Sequence, residues 1–466
     1  MLKYPKWYYY ASEDFYRFKC RLNELNMRKI HFYILALIPP FFILYLVNRY
    51  TINVPVWDQW EFVPLLKKAL VHELTLSDIW AQDSEHRIFF PRLIMLPTAL
   101  LTNWNILYEI SINIALAGAT FFYIVSLLRR SFDGTIYKWL LLLSSLLIFS
   151  TVQWENWMWG WQIAIFLSVL GCVVAVWAVS RWPEQWRGVI IAMAFSIISS
   201  FSFNSGLLTW IVVAVMLMMQ KEGKVKHLIS WIAASIIAVF LYYYGYDKSA
   251  IQSPLLLPVE HPYEYMRFVL LYLGSPLGWG RENISIFIGL VLLVTTCVGT
   301  IHIRKRYKEE YDRLLPWLAL GLYAFLCAIV TGIGRLGFGA HQALASRYTT
   351  FSTLFVLCSI VVTASWIKCS LKNYQCLPNK TIAFISSLSI LFVLAYAVSF
   401  SHGIREFKNR NKSLQANVQC LLSIQTASDE CLKKVYPIAI VARDRAKMLQ
   451  EMHMSLYANQ NTSFYR

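Results

Sequence analysis

Long apolar stretches separated by short polar segments dominate the chain. Several of these stretches contain no Asp, Glu, Lys or Arg over 16 to 25 residues. A helix needs about 20 apolar residues to cross the hydrocarbon core of a bilayer. The pattern therefore predicts an all-α fold in which many helices span a membrane. The charge-free stretches are 31–48, 139–154, 156–180, 228–246 and 283–303.

Counting the crossings from a cytoplasmic N-terminus gives about eleven transmembrane helices. We expect them at 31–47, 104–128, 138–153, 162–180, 188–201, 206–220, 228–246, 284–301, 315–333, 351–367 and 381–399. The uncharged segment 188–220 has 33 residues, about 50 Å of helix, which is too long for one span. We break it at 203–206. The alternative keeps a single span there and places a hairpin at 268–301.

This topology divides the chain into three parts. They are a cytoplasmic segment at 1–30, a transmembrane domain at 31–400 and a small helical extracytoplasmic tail at 401–466. The first span is expected to be retained rather than cleaved as a signal peptide. The outer face carries a long first loop at 48–103 and a loop rich in glycine and arginine at 334–350. Loops this long are usually functional, so the candidate chemistry is expected on this face.

Composition and charge exclude a soluble enzyme and a nucleic-acid-binding protein. Only 15% of the residues are charged and 57% are hydrophobic, whereas soluble domains carry about 25% charged residues. The net charge is +17, but 23 of the 43 basic residues fall in the segments predicted to be cytoplasmic. This asymmetry is the positive-inside bias of membrane insertion, and it predicts membrane lipid as a partner rather than nucleic acid.

The cysteines fit this topology. Cys420 and Cys431 lie in the predicted outer tail, where an oxidising compartment would let them form a disulfide. The alternative is two unpaired thiols on an amphipathic helix. No spacing typical of a metal site is present, so no cofactor is predicted, although use of a divalent metal stays open.

Acidic residues stand among tryptophans directly after the first span. The segment contains Trp57, Asp58, Trp60 and Glu61. Tryptophan is common at a membrane interface without any function, but an aromatic belt does not explain two carboxylates beside the bilayer. Partial burial would raise a carboxyl pKa and make the group a better proton acceptor. Asp58 and Glu61 are therefore the catalytic candidates, and Trp57 and Trp60 are substrate-binding candidates.

A second charged group, Glu85, His86 and Arg87, lies near the end of the same loop. Arginine suits the oxygen atoms of a phosphate, and histidine can hold a proton. Glu85 and His86 are substrate-binding candidates, and Arg87 is a phosphate-binding candidate. The alternative is a set of salt bridges that orients the loop.

Two arginines bracket the glycine-rich outer loop. Arg335 and Arg347 flank His341, and Tyr348 follows. Glycines let the backbone approach a ligand closely, so these four residues are predicted to bind the phosphate of a donor. The alternative is that the arginines reach ordinary lipid head groups.

The turn at 154–162 combines four tryptophans with an acid and amides. Its candidates are Glu155, Asn156 and Trp159, because sugars stack on aromatic faces and need polar partners for their hydroxyls. Asn204, beside the predicted break, is a weaker substrate-binding candidate. An aromatic belt and simple helix breaking are the alternatives.

These motifs together resemble the C-type (GT-C) superfamily of integral-membrane glycosyltransferases. An acid just after the first span is the hallmark of that superfamily, and Asp58 occupies this place. The wider combination resembles uncharacterised bacterial proteins linked to surface-polysaccharide glycosylation, including O-antigen glucosyltransferases. Its motifs are Trp57–Glu61, Glu85–Ile88, Asn204–Gly206, Ser346–Tyr348 and Cys431 before Tyr436.

The resemblance implies an inverting hexosyltransferase in the bacterial inner membrane, with its active site facing the periplasm. The donor would be a polyprenyl-phosphate-linked sugar and the acceptor a surface glycan or a lipid-linked oligosaccharide. Asp58 would be the base, and Arg335 and Arg347 would hold the donor phosphate. An O-antigen polymerase or ligase is the first alternative, and a transporter of lipid-linked sugar is the second. The spans contain almost no ionisable residues, which argues against transport.

Overall fold

Apolar helices make up most of the chain that the computed structural model describes, which is residues 29–219, 224–247, 253–373 and 379–458. Nearly all of the predicted cytoplasmic segment 1–30 lies outside the described residues. Nine helices in the described part are long and apolar enough to cross a membrane. Many large apolar side chains on them are exposed, as expected where lipid rather than water is the solvent. The protein is an all-helical, multi-pass membrane protein.

The helices are numbered here along the described chain. They are α1 Lys29–Tyr50, α2 Gln59–Leu70, α3 Leu76–Trp80, α4 Phe89–Thr102, α5 Ile106–Ser131, α6 Gly134–Ile148, α7 Trp154–Met158, α8 Ile163–Arg181, α9 Trp186–Ser200, α10 Leu208–Met218, α11 Lys224–Tyr243, α12 Leu257–Glu260, α13 Pro262–Gly274, α14 Glu282–Arg306, α15 Lys308–Arg335, α16 Thr349–Asn373, α17 Asn379–Leu422, α18 Asp429–Val435 and α19 Ala439–Glu451. Each of the eleven predicted spans overlaps one of these helices.

The uncharged segment 188–220 is broken where the sequence suggests. Helix α9 ends at Ser200, a 3-10 turn covers Asn204–Leu207, and α10 begins directly after it. A side chain at Gly206 would overlap the backbone of Ser199, so the close return of the chain requires glycine. Helices α9 and α10 have only 15 and 11 residues. The break is therefore real, while the count of eleven crossings stays a prediction.

Two segments expected to be outer loops contain helices. The first loop, 48–103, folds into α2, α3 and α4, and α4 is an apolar helix of 14 residues. The segment 247–283 contains α13, which packs against α14, α15 and α16. Helices α13 and α14 pack closely, since a side chain at Gly274 in α13 would overlap the carbonyl of Ser285 in α14. One face of α4 and one face of α13 are buried against the rest of the protein, so these parts of the two segments are packed rather than open.

The predicted tail is helical and lies on the first outer loop. Helix α17 runs for 44 residues through the expected boundary at 400 without a break. Helix α19 then packs on α2, where Lys67 lies 3.6 Å from Glu451. The Ser455 N–H donates to the Asn103 carbonyl at 2.8 Å. The predicted tail and the segment 48–103 therefore form one layer.

A disulfide joins the end of α17 to α18. It links Cys420 and Cys431, whose Cα atoms are 5.8 Å apart. Arg443 holds the intervening turn by donating to the carbonyls of Ile424 and Ala427, each at 2.7 Å. The bridge therefore fixes the turn from which the rest of the tail folds back.

Removing this bridge should loosen the tail. We expect Cys431→Ser to lower stability by about 3 kcal/mol, because the bridge closes a short loop in the unfolded chain. Thermal unfolding and limited proteolysis in detergent would measure the loss, with the exposed free Cys297 changed to serine as the control. An unchanged melting midpoint together with an equally resistant tail would contradict this expectation.

Candidate active site

Asp58 is the N-cap residue of helix α2, and Arg335 and Arg347 of the predicted phosphate clamp act on its carboxyl electrostatically. Trp57, just before it, has a left-handed backbone with φ of 50°, and this bend turns the chain into the helix. Burial raises the pKa of the Asp58 carboxyl, Arg347 and Arg335 oppose the rise, and Glu61 adds to it. The acid and both arginines therefore act on one another electrostatically, although they lie far apart in the sequence.

Arg335 is bound by the acid of the second charged group. The Asp83 and His86 backbones exchange two hydrogen bonds of 2.8 Å and close a tight turn. Glu85 within this turn accepts a hydrogen bond from Arg335. The side chains of Glu85 and Arg335 are only 8% and 21% exposed, so the pair is largely shielded from water. A shielded ion pair of this kind fixes the position of the guanidinium.

Arg347 is bound by the tryptophan-rich turn. Its backbone N–H donates to Glu155 Oε2 at 2.9 Å, and its guanidinium Nη1 lies 3.6 Å from Glu155 Oε1. Asn156 donates to the Arg347 carbonyl at 3.1 Å and to Thr350 Oγ1 at 2.6 Å. The turn at 154–162 and the loop at 334–350 therefore form one unit.

His86 is buried between the two groups. Its ring stacks on Phe203 with centroids 4.0 Å apart, and the Asn204 N–H approaches Nδ1 at 3.4 Å. Burial, with a further contribution from Arg347, lowers the pKa of His86 to about 3. The imidazole is therefore neutral at pH 7, and Asn204 contributes through its backbone rather than its side chain.

Glu61 is bound by the tail, which makes it a weaker base than Asp58. Its carboxylate lies 2.6 Å from Arg445 Nη1 and accepts a hydrogen bond from the Tyr436 hydroxyl. Burial alone would raise the pKa of Glu61, but Arg445 and Tyr436 lower it overall. Glu61 therefore serves to attach α2 to the tail in this arrangement.

Arg87 does not join the predicted phosphate clamp. Its guanidinium donates to the carbonyls of Tyr242 and Tyr244 in and beyond α11, and to that of Trp80 at 3.2 Å. Three of the five N–H donors of the guanidinium are used in this way, and Arg87 is only 3% exposed, which shields the group from a ligand. The structure gives Arg87 a structural role, which the sequence could not show because its partners lie in a distant helix.

Several predicted ligand side chains are buried rather than exposed. Trp60 and Asn156 are fully buried, and Trp159 stacks on Trp161 with ring centroids 5.8 Å apart. Tyr348 is buried against Tyr272. These side chains are therefore part of the packed interior in this structure. Trp57 and His341, in contrast, are exposed.

Asp83 is a functional candidate that the sequence analysis did not select. Burial raises its pKa to about 6, Arg92 opposes the rise at 3.7 Å, and Asp58 and Glu61 increase it. The Trp161 side chain lowers that pKa. Three acids therefore share one partly dry region. Only the folding of the first outer loop brings Asp83 to Asp58, so no local spacing could have identified it.

The raised pKa of Asp83 predicts a pH dependence of stability. The usual pKa of this group is 3.8. The stabilisation of the folded state that comes from the raised pKa is therefore complete below pH 3.8, and it is lost as the pH rises through about 6. The contribution amounts to about 3 kcal/mol at most. We expect Asp83→Asn to make the fall in melting temperature between pH 4 and pH 7 shallower, with exposed Glu73→Gln as the control. Identical slopes for wild type and Asp83→Asn would disprove this.

Comparison with known proteins gives one weak similarity. No protein-family model matches the chain. A stretch of 216 residues, 44% of this chain, is 24% identical to an uncharacterised protein of Archaeoglobus fulgidus. The alignment covers 54% of that protein, so the chain matches about half of its relative's length. This similarity assigns no function.

Proposed function

We propose that the protein is an integral-membrane glycosyltransferase of the GT-C type. It transfers a hexose from a polyprenyl-phosphate donor to a surface glycan or a lipid-linked acceptor, at the outer face of the bacterial inner membrane. The observation that supports this most is that Arg335 and Arg347 both act electrostatically on a partly buried acid, Asp58. A transfer from a sugar phosphate needs these two kinds of group, a proton acceptor and a stabiliser of the departing phosphate.

The two arginines have the right support for holding a phosphate. Glu85 and Glu155 each bind one of them, which fixes both guanidinium groups before a ligand arrives. Preorganised cations stabilise the negative charge that develops on a leaving group without reorganising during the reaction. Negative charge on the donor phosphate would add to the attraction, since guanidinium contacts to phosphate are charge-assisted.

Asp58 is the best placed base. The oxygen of an acceptor hydroxyl would attack the anomeric carbon opposite the phosphate, and its proton would pass to the Asp58 carboxylate. The bond between the anomeric carbon and the phosphate oxygen breaks as the new bond forms, and its electron pair stays on the phosphate. One displacement inverts the configuration of the sugar. Since a phosphate ester leaves readily, this step requires no general acid.

The experiment for this function is incubation of the purified protein with polyprenyl-phosphate hexoses and candidate glycan acceptors. Mass spectrometry would detect the glycosylated acceptor and the released polyprenyl phosphate. An O-antigen polymerase or ligase is the second candidate, because it would also use outer arginines. It would consume a diphosphate-linked oligosaccharide instead, so the two candidates differ in the donor that disappears.

A further inference from the structure

A fully buried glutamate lies in the first turn of α5, a helix long and apolar enough to cross a membrane. Glu109 is 0% exposed, and each of its two carboxyl oxygens accepts one hydrogen bond. Gln59 Nε2 donates to Oε2 at 2.7 Å, and Trp104 Nε1 donates to Oε1 at 2.8 Å. An ionisable side chain buried in such a helix is costly and is rare without a function. The chemistry proposed above does not use this one.

Gln59 connects Glu109 to the turn that carries Asp58. Gln59 Oε1 accepts a hydrogen bond from the Val56 N–H at 3.1 Å, and the Gln59 N–H donates to the Val56 carbonyl at 3.0 Å. These two bonds close the segment 56–59 around Asp58. Because Gln59 is fully buried, water cannot replace a partner that its amide loses. The bond to Glu109 therefore fixes the orientation of the Gln59 amide, and the amide fixes the turn of the base.

The same face of α5 holds the tryptophan-rich turn. Asn113, four residues after Glu109 and thus on the same face, donates to two carbonyls of this turn at 3.1 and 3.3 Å. A side chain at Gly160 would overlap Glu109 Oε2, so the backbone of the turn lies directly against the carboxyl group. Glu155 in this turn binds Arg347. One face of α5 therefore contacts both the turn of the base and the turn that holds an arginine.

We propose that Glu109 is a positioning residue for Asp58, and that its hydrogen bond to Gln59 fixes the base relative to the tryptophan-rich turn. This rests on the proposed glycosyltransferase function. Since Glu109 is fully buried, it acts through Gln59 rather than on the substrate. A misplacement of about 1 Å can cost about 100-fold in rate. The effect belongs to the turnover number, because the phosphate of the donor is held by other residues.

The first test is Glu109→Gln, which keeps the size of the side chain but leaves it only one acceptor oxygen. Either Gln59 or Trp104 then meets an amide N–H instead of an acceptor. We expect the turnover number per folded molecule to fall about 10- to 100-fold, while the KM for the polyprenyl-phosphate donor stays near wild type. A wild-type turnover number, or a loss confined to the donor KM, would overturn the proposal.

The matched control is Glu310→Gln in α15. Glu310 is also buried and accepts hydrogen bonds from Lys368 at 3.1 Å and Ser365 at 3.2 Å, but it lies at the predicted cytoplasmic end. This variant should lower the melting temperature without changing the turnover number of the folded protein. An equal fall in turnover for Glu310→Gln and Glu109→Gln would mean that Glu109 has only a structural role.

Exchanging the two side chains should rescue activity. In Gln59→Glu/Glu109→Gln, the amide at position 109 can donate to the carboxylate at position 59 and still accept from Trp104. The carboxylate can still accept from the Val56 N–H, so all three hydrogen bonds are kept. We expect turnover at least about 10-fold above that of Glu109→Gln alone. A double variant as slow as Glu109→Gln would contradict the proposal.

Gly160→Ala perturbs the same carboxyl group from the side of the turn. Its new methyl group would displace the Glu109 carboxyl, so turnover should fall again. Gly118→Ala is the control, because Gly118 lies in the same helix and a side chain there meets no atom within 4 Å. If Glu109→Gln fails to fold, wild-type turnover in Gly160→Ala would overturn the proposal.

The position of residue 58 can also be measured without turnover. Asp58→Cys protein would be treated with a membrane-impermeant methanethiosulfonate, and mass spectrometry would follow the labelling of that peptide. Adding Glu109→Gln should raise the labelling rate about 10-fold, since one buried hydrogen bond no longer holds the turn, whereas adding Glu310→Gln should not. An unchanged rate would overturn the positioning role. If the rate rises but wild type transfers hexose from no donor, the positioning of residue 58 stands and the proposed transferase does not.

Discussion

Replacing Asp58 by asparagine should reduce hexose transfer by about 100- to 10,000-fold, the usual contribution of a positioned proton acceptor. Asparagine keeps the size and hydrogen-bonding shape of the side chain but cannot take a proton at neutral pH. Because burial disfavours the charged carboxylate, the substitution should not lower the melting temperature. The initial rate of polyprenyl phosphate release, with acceptor present, measures the effect.

The matched control is Glu73→Gln, an exposed acid in the same outer loop, which should retain full activity. The pH profile gives a second criterion. Since the pKa of Asp58 is raised above its usual value of 3.8, wild-type activity should fall as the pH decreases toward that group's pKa, and the acid limb should lie above pH 3.8. If Asp58→Asn transfers hexose at the wild-type rate, Asp58 is not the base.

Replacing Arg347 by glutamine should reduce transfer by about 100- to 1000-fold, as the loss of one preorganised charge stabiliser does in other enzymes. Two effects combine. The departing phosphate loses a guanidinium, and Glu155 loses the cation that lies 3.6 Å from it. With less positive charge beside it, the Glu155 carboxylate should repel the donor phosphate, so the KM for the donor should also rise.

The double variant Arg347→Gln/Glu155→Gln separates these two effects. It removes the repulsion, so the KM should recover toward wild type while the turnover number stays low. Arg267→Gln is the control, because Arg267 lies in the predicted outer segment 247–283 and is paired with Glu264 and Glu282. Near-normal turnover in Arg347→Gln would mean that this arginine does not stabilise the leaving group.

The membrane helices could be predicted from the sequence, because a helix that crosses a bilayer needs a long apolar run and the chain contains several such runs. Even the break near Asn204 could be predicted from length alone. Helix α13 could not, since its 13 residues are too few for a span and look like part of a loop. Its position depends on glycine contacts with α14 that the sequence does not reveal.

The residue types of the candidate site could also be predicted, but not their partners. Glu85 and Arg335 are separated by 250 positions, and no local pattern pairs them. The same limit explains the wrong prediction for Arg87. Its residue type and position suggest a phosphate ligand, but its carbonyl partners lie far away in the sequence.

The central claim is that Asp58 and the arginines facing it transfer a hexose from a polyprenyl-phosphate donor. The most direct measurement is mass spectrometry of reactions containing purified protein, a panel of polyprenyl-phosphate hexoses and glycan acceptors. We predict that wild type forms polyprenyl phosphate and glycosylated acceptor from at least one donor, and that Asp58→Asn forms neither above background. Equal product from wild type and Asp58→Asn, or no product from any donor that the protein demonstrably binds, would contradict the account.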